Sequence, residues 1–359
     1  MNMVPVYAYV GCRTTRERSA RGKGIGVYAV DPLSSAWERV ESFEPLDNPS
    51  FLALNEAQDM LYAVHGDGTE VSSFTIDPST GRLSLLNRQA CGGHNPVHLA
   101  LSRSGDALVV ANYASGCAVQ LPIEATGALG PVASLVELTG APGPHRIEQG
   151  SSHPHHIARF ATQRYNTDWH IVPDKGLDTV FAIKWSGPGR APVITSGRSR
   201  EGAGPRHAAF HPVLPIIYVA NELDSTLTAW GFEPLSGALE PLHTSSLLPA
   251  ACHEGSRAAG IAIRADGRAL YVSNRGHDSI TTIELDGTTG LPVSTSWTDA
   301  QGQCPRFLCM SHDARMLYVA NERSDTIVQY LLDADSGMPS PTGCVVKTGS
   351  PVCIIFKTH

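Results

Sequence analysis

The chain has 359 residues, 42% apolar and 17% charged, with a formal net charge of −7. That is ample apolar material for a large core, so a disordered chain is excluded, and the length fits two or three ordinary domains or one large β architecture. No Lys/Arg run or basic stripe exists and no apolar run reaches 18 residues, which argues against nucleic-acid and membrane partners.

Met1 to Val10 is too short and too strand-like for a signal-peptide core. Val6 to Val10 and Ile25 to Val30 read as strands. Between them, Arg13, Arg16, Arg18, Arg21 and Lys23 spread over a Gly/Ser loop that reads as solvated.

From there a repeat sets in. Pro49 is followed thirteen residues later by Tyr62, Pro96 by Val109, Pro205 by Tyr218 and Pro305 by Tyr318; Ala258 replaces Pro ahead of Tyr271. Three residues further on stand His65, Asn112, Asn221, Asn274 and Asn321. Pro154 opens another copy, with about five residues inserted around Arg164 to Asp168 before Val172. A seventh start, Pro351 to Phe356, stops at the C-terminus, and its remainder is Val6 to Val30 at the other end.

Each copy predicts four strands, at 207–211, 215–220, 226–232 and 238–242 in the fifth. Turns such as Ser104-Gly105-Asp106 and Pro78-Ser79-Thr80-Gly81 separate them. Four short strands per 40–50 residues is a propeller blade. The expectation is an all-β, seven-bladed β-propeller with four antiparallel strands per blade, residues 1–359 forming one domain. The C-terminal strand joins the N-terminal blade and closes the ring. The alternative is a tandem array of separate β domains. Eight cysteines without a CxxC pattern suit reduced thiols in a cytoplasm and give no structural zinc signature. A ring of this size is stable alone, so a monomer is expected.

Topology picks out a site. The innermost strand lines the channel and the second runs antiparallel to it. Residues just before the first and just after the second therefore share one mouth. These include His98, His153, His155, Arg206, His207, Arg257 and Arg306, and then Lys175, Asn221, Glu222, Arg275, His277 and Glu322. Arginine forks suit carboxylate or phosphate, so the implied ligand is a small anion. Glu222 is either a base or the anchor of an arginine. The repeated Asn reads as a turn cap. A metal at His153 and His155 is disfavoured because no carboxylate stands at ligand spacing. His156, on the opposite strand face, reads as packed between blades. A serine nucleophile lacks its Gly-x-Ser-x-Gly elbow.

The matching segments include Ala111-Asn112-Tyr113, His153-Pro154-His155, Pro173-Asp174-Lys175-Gly176-Leu177-Asp178, Gly204-Pro205-Arg206-His207, Tyr218-Val219-Ala220-Asn221-Glu222 and Ser273-Asn274-Arg275-Gly276-His277. By these, in order and spacing along essentially the whole chain, it resembles the seven-bladed lactonase family. That family holds propeller-type 6-phosphogluconolactonases and carboxy-cis,cis-muconate cyclases. The resemblance implies site residues at His155, Arg206, Glu222 and Arg275. It implies a metal-independent lactonase without cofactor: Glu222 or His155 activates water, and Arg206 and Arg275 hold acidic groups and the oxyanion. Arg306, His207, His98, His153, His277 and Asn221 are expected to bind substrate. A cycloisomerase acting on a muconate-like dicarboxylate needs the same groups, and a non-catalytic binding propeller is a third reading. Two departures from the family pattern, His65-Gly66 for Asn-Glu and Gly260 for an acidic residue, remove polar groups from the mouth.

Overall fold

The computed structural model describes residues 6–358 apart from 32–33, 188–189 and 253–254; the N-terminal stretch Met1 to Pro5 lies outside them. Its strands form seven four-stranded antiparallel sheets, and the innermost strand of each contacts those of both neighbours around a closed ring. The all-β seven-bladed propeller is therefore the fold. Blade 5 is representative: Pro205–Phe210 is innermost, followed by Ile216–Asn221, Thr226–Phe232 and the outer Leu239–Ser246. The outer strand runs four residues beyond its expected end.

The second strands, such as Ile216–Asn221 and Met60–His65, are buried throughout. That is why they read as continuous apolar runs rather than alternating ones. Outer strands are exposed at most positions, as in Leu239–Ser246. Seams between blades hold the ring. Phe160, Trp169 and Ile171 of blade 4 pack on Ile217, Val219 and Trp230 of blade 5. Each fully buried side chain of this kind contributes roughly 1.5–3 kcal/mol.

The Pro-to-Tyr spacing has a physical basis. Three of the four repeated Tyr reach across a seam to the turn glycine of the next blade: Tyr62 to Gly127 O, Tyr218 to Gly290 O (2.5 Å) and Tyr271 to Gly337 O (2.6 Å). Tyr9 of blade 1 does the same to Gly81 O. Those glycines have positive φ, between 68° and 85°, a geometry that tolerates little else.

Pro351–Lys357 pairs with Val6–Cys12, setting Tyr9 against Ile355 and Gly11 against Cys353. The last strand is thus the innermost of blade 1, completed by Ile25–Val30 and Trp37–Phe43. This pairing gives blade 1 its fourth strand and closes the ring.

Three expectations are corrected. In blade 4, Pro154 pairs with Asp174, twenty residues on, where Pro96 pairs with Asn112, sixteen on. The hairpin is four residues longer, so Ile171 rather than Val172 takes the Tyr place. The repeated Asn does not cap its own turn. Asn221 donates to Thr226 and Thr228, and Asn274 to Ser279 and Thr281, all on the third strand. Asn112 and Asn321 reach carbonyls of the preceding blade, Cys91 and Ala300. The left-handed residues in these turns are others, such as Ser225, Asp278 and Asp325. Finally, the N-terminal basic loop is not freely solvated. Arg18 pairs with Asp67 and Arg21 with Asp325, while Arg13 is 4% exposed.

Candidate active site

Antiparallel pairing brings the start of each inner strand level with the end of the second. Five of the seven inner strands bulge one residue past their first pair: at Ser50, Val97, Arg206, Arg306 and Val352. A bulge re-aims its side chain, here at the mouth. Opposite stands the residue following the Asn place. Its backbone N–H bonds the carbonyl just before the inner strand in Arg13, Gly66, Tyr113, Glu222 and Glu322. Two residues per blade therefore form the rim. His155 and Lys175 serve blade 4, Arg206 and Glu222 blade 5, Arg275 blade 6, and Arg306 and Glu322 blade 7.

Glu222 is the hub. Its Oε2 lies 2.8 Å from Arg206 Nε and 3.0 Å from Arg275 Nη2; its Oε1 lies 3.4 Å from Lys175 Nζ and 3.5 Å from Arg257 Nη1. Glu148, from the long loop between blades 3 and 4, pairs with Lys175 (2.7 Å) and Arg257 (2.8 Å). Four cations meet two carboxylates, a locally positive patch on an acidic protein. Burial alone would raise the Glu222 carboxyl, but Arg275, Lys175 and Arg206 outweigh it and hold it well below the usual carboxylate range. Burial would lower Lys175, but Glu222 prevails and raises it.

Arg206 is 2% exposed, and its Nη1 has no hydrogen-bond partner. Its Nε approaches Glu222 as an ion contact without hydrogen-bond alignment. A buried donor of this kind is costly unless something accepts from it. His155 is buried beside Tyr113 (5.5 Å between rings) and His207 (5.4 Å), and its Nδ1 has no partner. Burial, then Arg206, pushes its imidazole well below its ordinary value, so it is neutral at pH 7. His153 stacks on Tyr113 at 4.5 Å, and its Nδ1 pairs with that residue's carbonyl.

One layer deeper the channel is filled. His98, His156 and His207 pack ring to ring at 3.9–5.8 Å, with Phe51 against His98 and Phe307 against Phe51. Gly260 belongs to this layer. A Cβ there would stand 2.9 Å from Leu308 N and 3.1 Å from Phe307 Cα. Its lack of a side chain thus lets blade 7 approach closely. Among the described residues no three His, Cys, Asp or Glu side chains are grouped as metal ligands.

The structure thus gathers His155, Arg206, Glu222 and Arg275 at one point, with His153 beside them. Arg306 is on the same rim, 3.7 Å from Glu322. His98 and His207 lie in the layer beneath. Asn221 gives both amide protons to its own blade, and His277 bonds Ser279 Oγ. Sequence reasoning placed Lys175 and Arg257 on the rim without a role, and missed Glu148 and Arg13. The available signal for Arg13 was its position directly after the strand Val6–Cys12, as Glu222 directly follows its own.

The closed seven-bladed ring is the architecture of a described family. Its model, "Lactonase, 7-bladed beta-propeller", matches residues 7–356. The chain belongs to the seven-bladed β-propeller lactonase family. A 6-phosphogluconolactonase of Bacillus subtilis is 30% identical over 310 residues, 85% of this chain and 84% of the relative. One from Formosa agariphila is 28% identical over 79% of this chain and 81% of the relative. The solved periplasmic gluconolactonase of Pseudomonas aeruginosa superposes with a TM-score of 0.88 at 26% identity, covering 99% of both chains. The architecture is therefore not confined to the cytoplasm that the thiols suggested. No helix among the described residues is long and apolar enough to cross a membrane.

Proposed function

We propose that this protein hydrolyses a small anionic lactone of the 6-phosphogluconolactone type. The observation that carries this is the buried Glu222 hub, with unpartnered donors on Arg206 and an unpartnered nitrogen on neutral His155. The lactonases among the relatives and solved neighbours support the same reaction class.

The division of labour follows from the charges. Glu222, held strongly ionised, is a poor proton acceptor near neutrality. It positions the cations. Arg206 Nη1 and Arg275 supply donors for the carbonyl oxygen as it becomes an oxyanion. His155 takes a proton from the attacking water. The tetrahedral intermediate then collapses, breaking the acyl–oxygen bond of the ring. The same imidazole returns its proton to the departing ring oxygen, and the carboxylic acid so formed gives up its own proton to solvent as it leaves as a carboxylate. A bound substrate anion offsets the Arg206 charge and raises the His155 imidazole toward a useful range. No specific observation favours the cycloisomerase or the binding-only reading.

The test is hydrolysis of 6-phosphogluconolactone above its spontaneous rate, with His155→Gln as the probe. A loss of about 10²–10⁴ in kcat is expected for a general acid/base. Unchanged kcat removes His155 from this role.

A further inference from the structure

One departure from the family pattern, His65-Gly66, lies in blade 2. Blades 5 and 7 each place an Arg at the bulge and a Glu opposite it: Arg206 with Glu222, and Arg306 with Glu322. Blade 2 has Ser50 and Gly66 in those places. A Cβ on Gly66 would stand 2.5 Å from Arg13 Nη1 and 2.8 Å from Ser50 Oγ. The missing side chain therefore makes room for the guanidinium arriving from blade 1. His65, in the Asn place, turns its ring into the blade, pairing with Ser72 Oγ (2.7 Å) and Asp47 O (2.8 Å).

These groups are poorly matched by protein partners. Among the described residues the Arg13 guanidinium makes one hydrogen bond, 3.4 Å to Asp67, whose carboxylate is already gripped by Arg18 through both oxygens. Arg306 lies 3.7 Å from Glu322 and makes no hydrogen bond among the described residues. Ser50 Oγ is buried without a partner. Around Glu222, by contrast, the ion contacts are 2.7–3.5 Å. Burial, then the Arg306 and Arg18 charges, lowers Arg13 to about 9 and outweighs the opposing pull of Asp67 and Glu322.

We propose that Arg13, Arg306 and Ser50 form a second anion subsite at the mouth. It takes the phosphomonoester end of the substrate while the lactone ring lies toward Arg206, Glu222 and His155. This rests on the lactonase reading and deepens it by assigning residues to the phosphate end of the substrate. Two guanidinium forks and a hydroxyl converging from different blades suit a tetrahedral dianion; a planar carboxylate is served by one fork.

The experiment compares Arg13→Gln and Arg13→Lys with the unmodified protein, using 6-phosphogluconolactone, unphosphorylated gluconolactone, and calorimetric binding of inorganic phosphate and of acetate. Arg13→Gln is expected to lower the kcat/KM ratio of phosphorylated to unphosphorylated lactone at least tenfold, mainly through KM. Phosphate binding should weaken by a similar factor, and the Lys variant should recover part of it. Equal effects on both lactones, unchanged phosphate affinity, or acetate bound as tightly as phosphate would each overturn the subsite. Should neither lactone be turned over, the lactonase reading fails, while phosphate binding lost in Arg13→Gln still supports the subsite and binding retained overturns it. If Arg13→Gln does not fold, Gly66→Ala crowds the same guanidinium. Weaker phosphate binding supports the assignment and unaltered binding refutes it.

Discussion

Replacing Glu222 with Gln keeps its shape and removes its charge. Four cations lie within 3.5 Å of that carboxylate, and Arg206 is 2% exposed. The amide leaves Arg206, Arg275 and Lys175 facing one another and points an N–H₂ donor at other donors. Breaking a buried ion pair by removing one partner costs about 3–5 kcal/mol. Unfolding entropy of about 2.1 cal/mol/K per residue, applied to 359 residues, gives about 0.75 kcal/mol/K. The expected loss is therefore roughly 4–7 °C in Tm, read by calorimetry in a buffer without multivalent anions. Adding phosphate should restore more of the Tm in the variant than it adds to the unmodified protein, because it replaces the missing negative charge. A Tm within 1 °C of the original, or an increase, would refute the assignment of Glu222 as the charge hub.

Other outcomes follow from the same geometry. Tyr218→Phe removes the 2.5 Å bond to Gly290 O across a blade seam and should cost about 1 kcal/mol by denaturant unfolding; a variant as stable as the original removes the latch from the account. Burial depresses His98, His155, His156 and His207, with His156 lowered to about 3, so each binds its proton more readily when unfolded. Their contribution is complete above the ordinary histidine value of 6.5 and is lost as pH falls below it, with Glu222 adding to the loss below its ordinary 4.5. Tm should thus decline from pH 7 to pH 5 and more steeply below; a flat profile contradicts the neutral, buried cluster. Among the thiols, Cys344 is exposed while Cys12, Cys91 and Cys353 are buried, with Cys12 pushed up to about 12 and Cys91 to about 11. Disulfide reagents should label Cys344 quickly and those three only on unfolding; uniform labelling would refute their burial.

The fold was legible because its repeat is chemical as well as numerical. Pro starts an inner strand, Tyr latches the next blade, and Asn ties strand two to its surroundings. The rim was legible because antiparallel topology brings two fixed positions of every blade together. What escaped did so where the repeat is interrupted. Arg13 belongs to the split blade, whose Pro lies at the other end of the chain, so no thirteen-residue spacing marks it. Lys175 follows Asp174 rather than Asn, after a hairpin four residues longer than its counterparts. Glu148 comes from a loop outside the repeat. The departures at Gly66 and Gly260 read as losses in sequence, but each is a place where another group moves in: Arg13 beside one, the blade 7 backbone beside the other.

The most direct measurement is continuous titration of acid released from 6-phosphogluconolactone, corrected for spontaneous opening, by the unmodified protein and by Arg275→Ala. Arg275 touches Glu222 at 3.0 Å and is aimed at the developing oxyanion in this account. Removing one such donor costs about 10²–10³ in kcat elsewhere. The account predicts clear turnover by the unmodified protein and a loss of that size in a folded variant. Turnover unaffected by Arg275→Ala, or no turnover of the lactone by the unmodified protein, would contradict it.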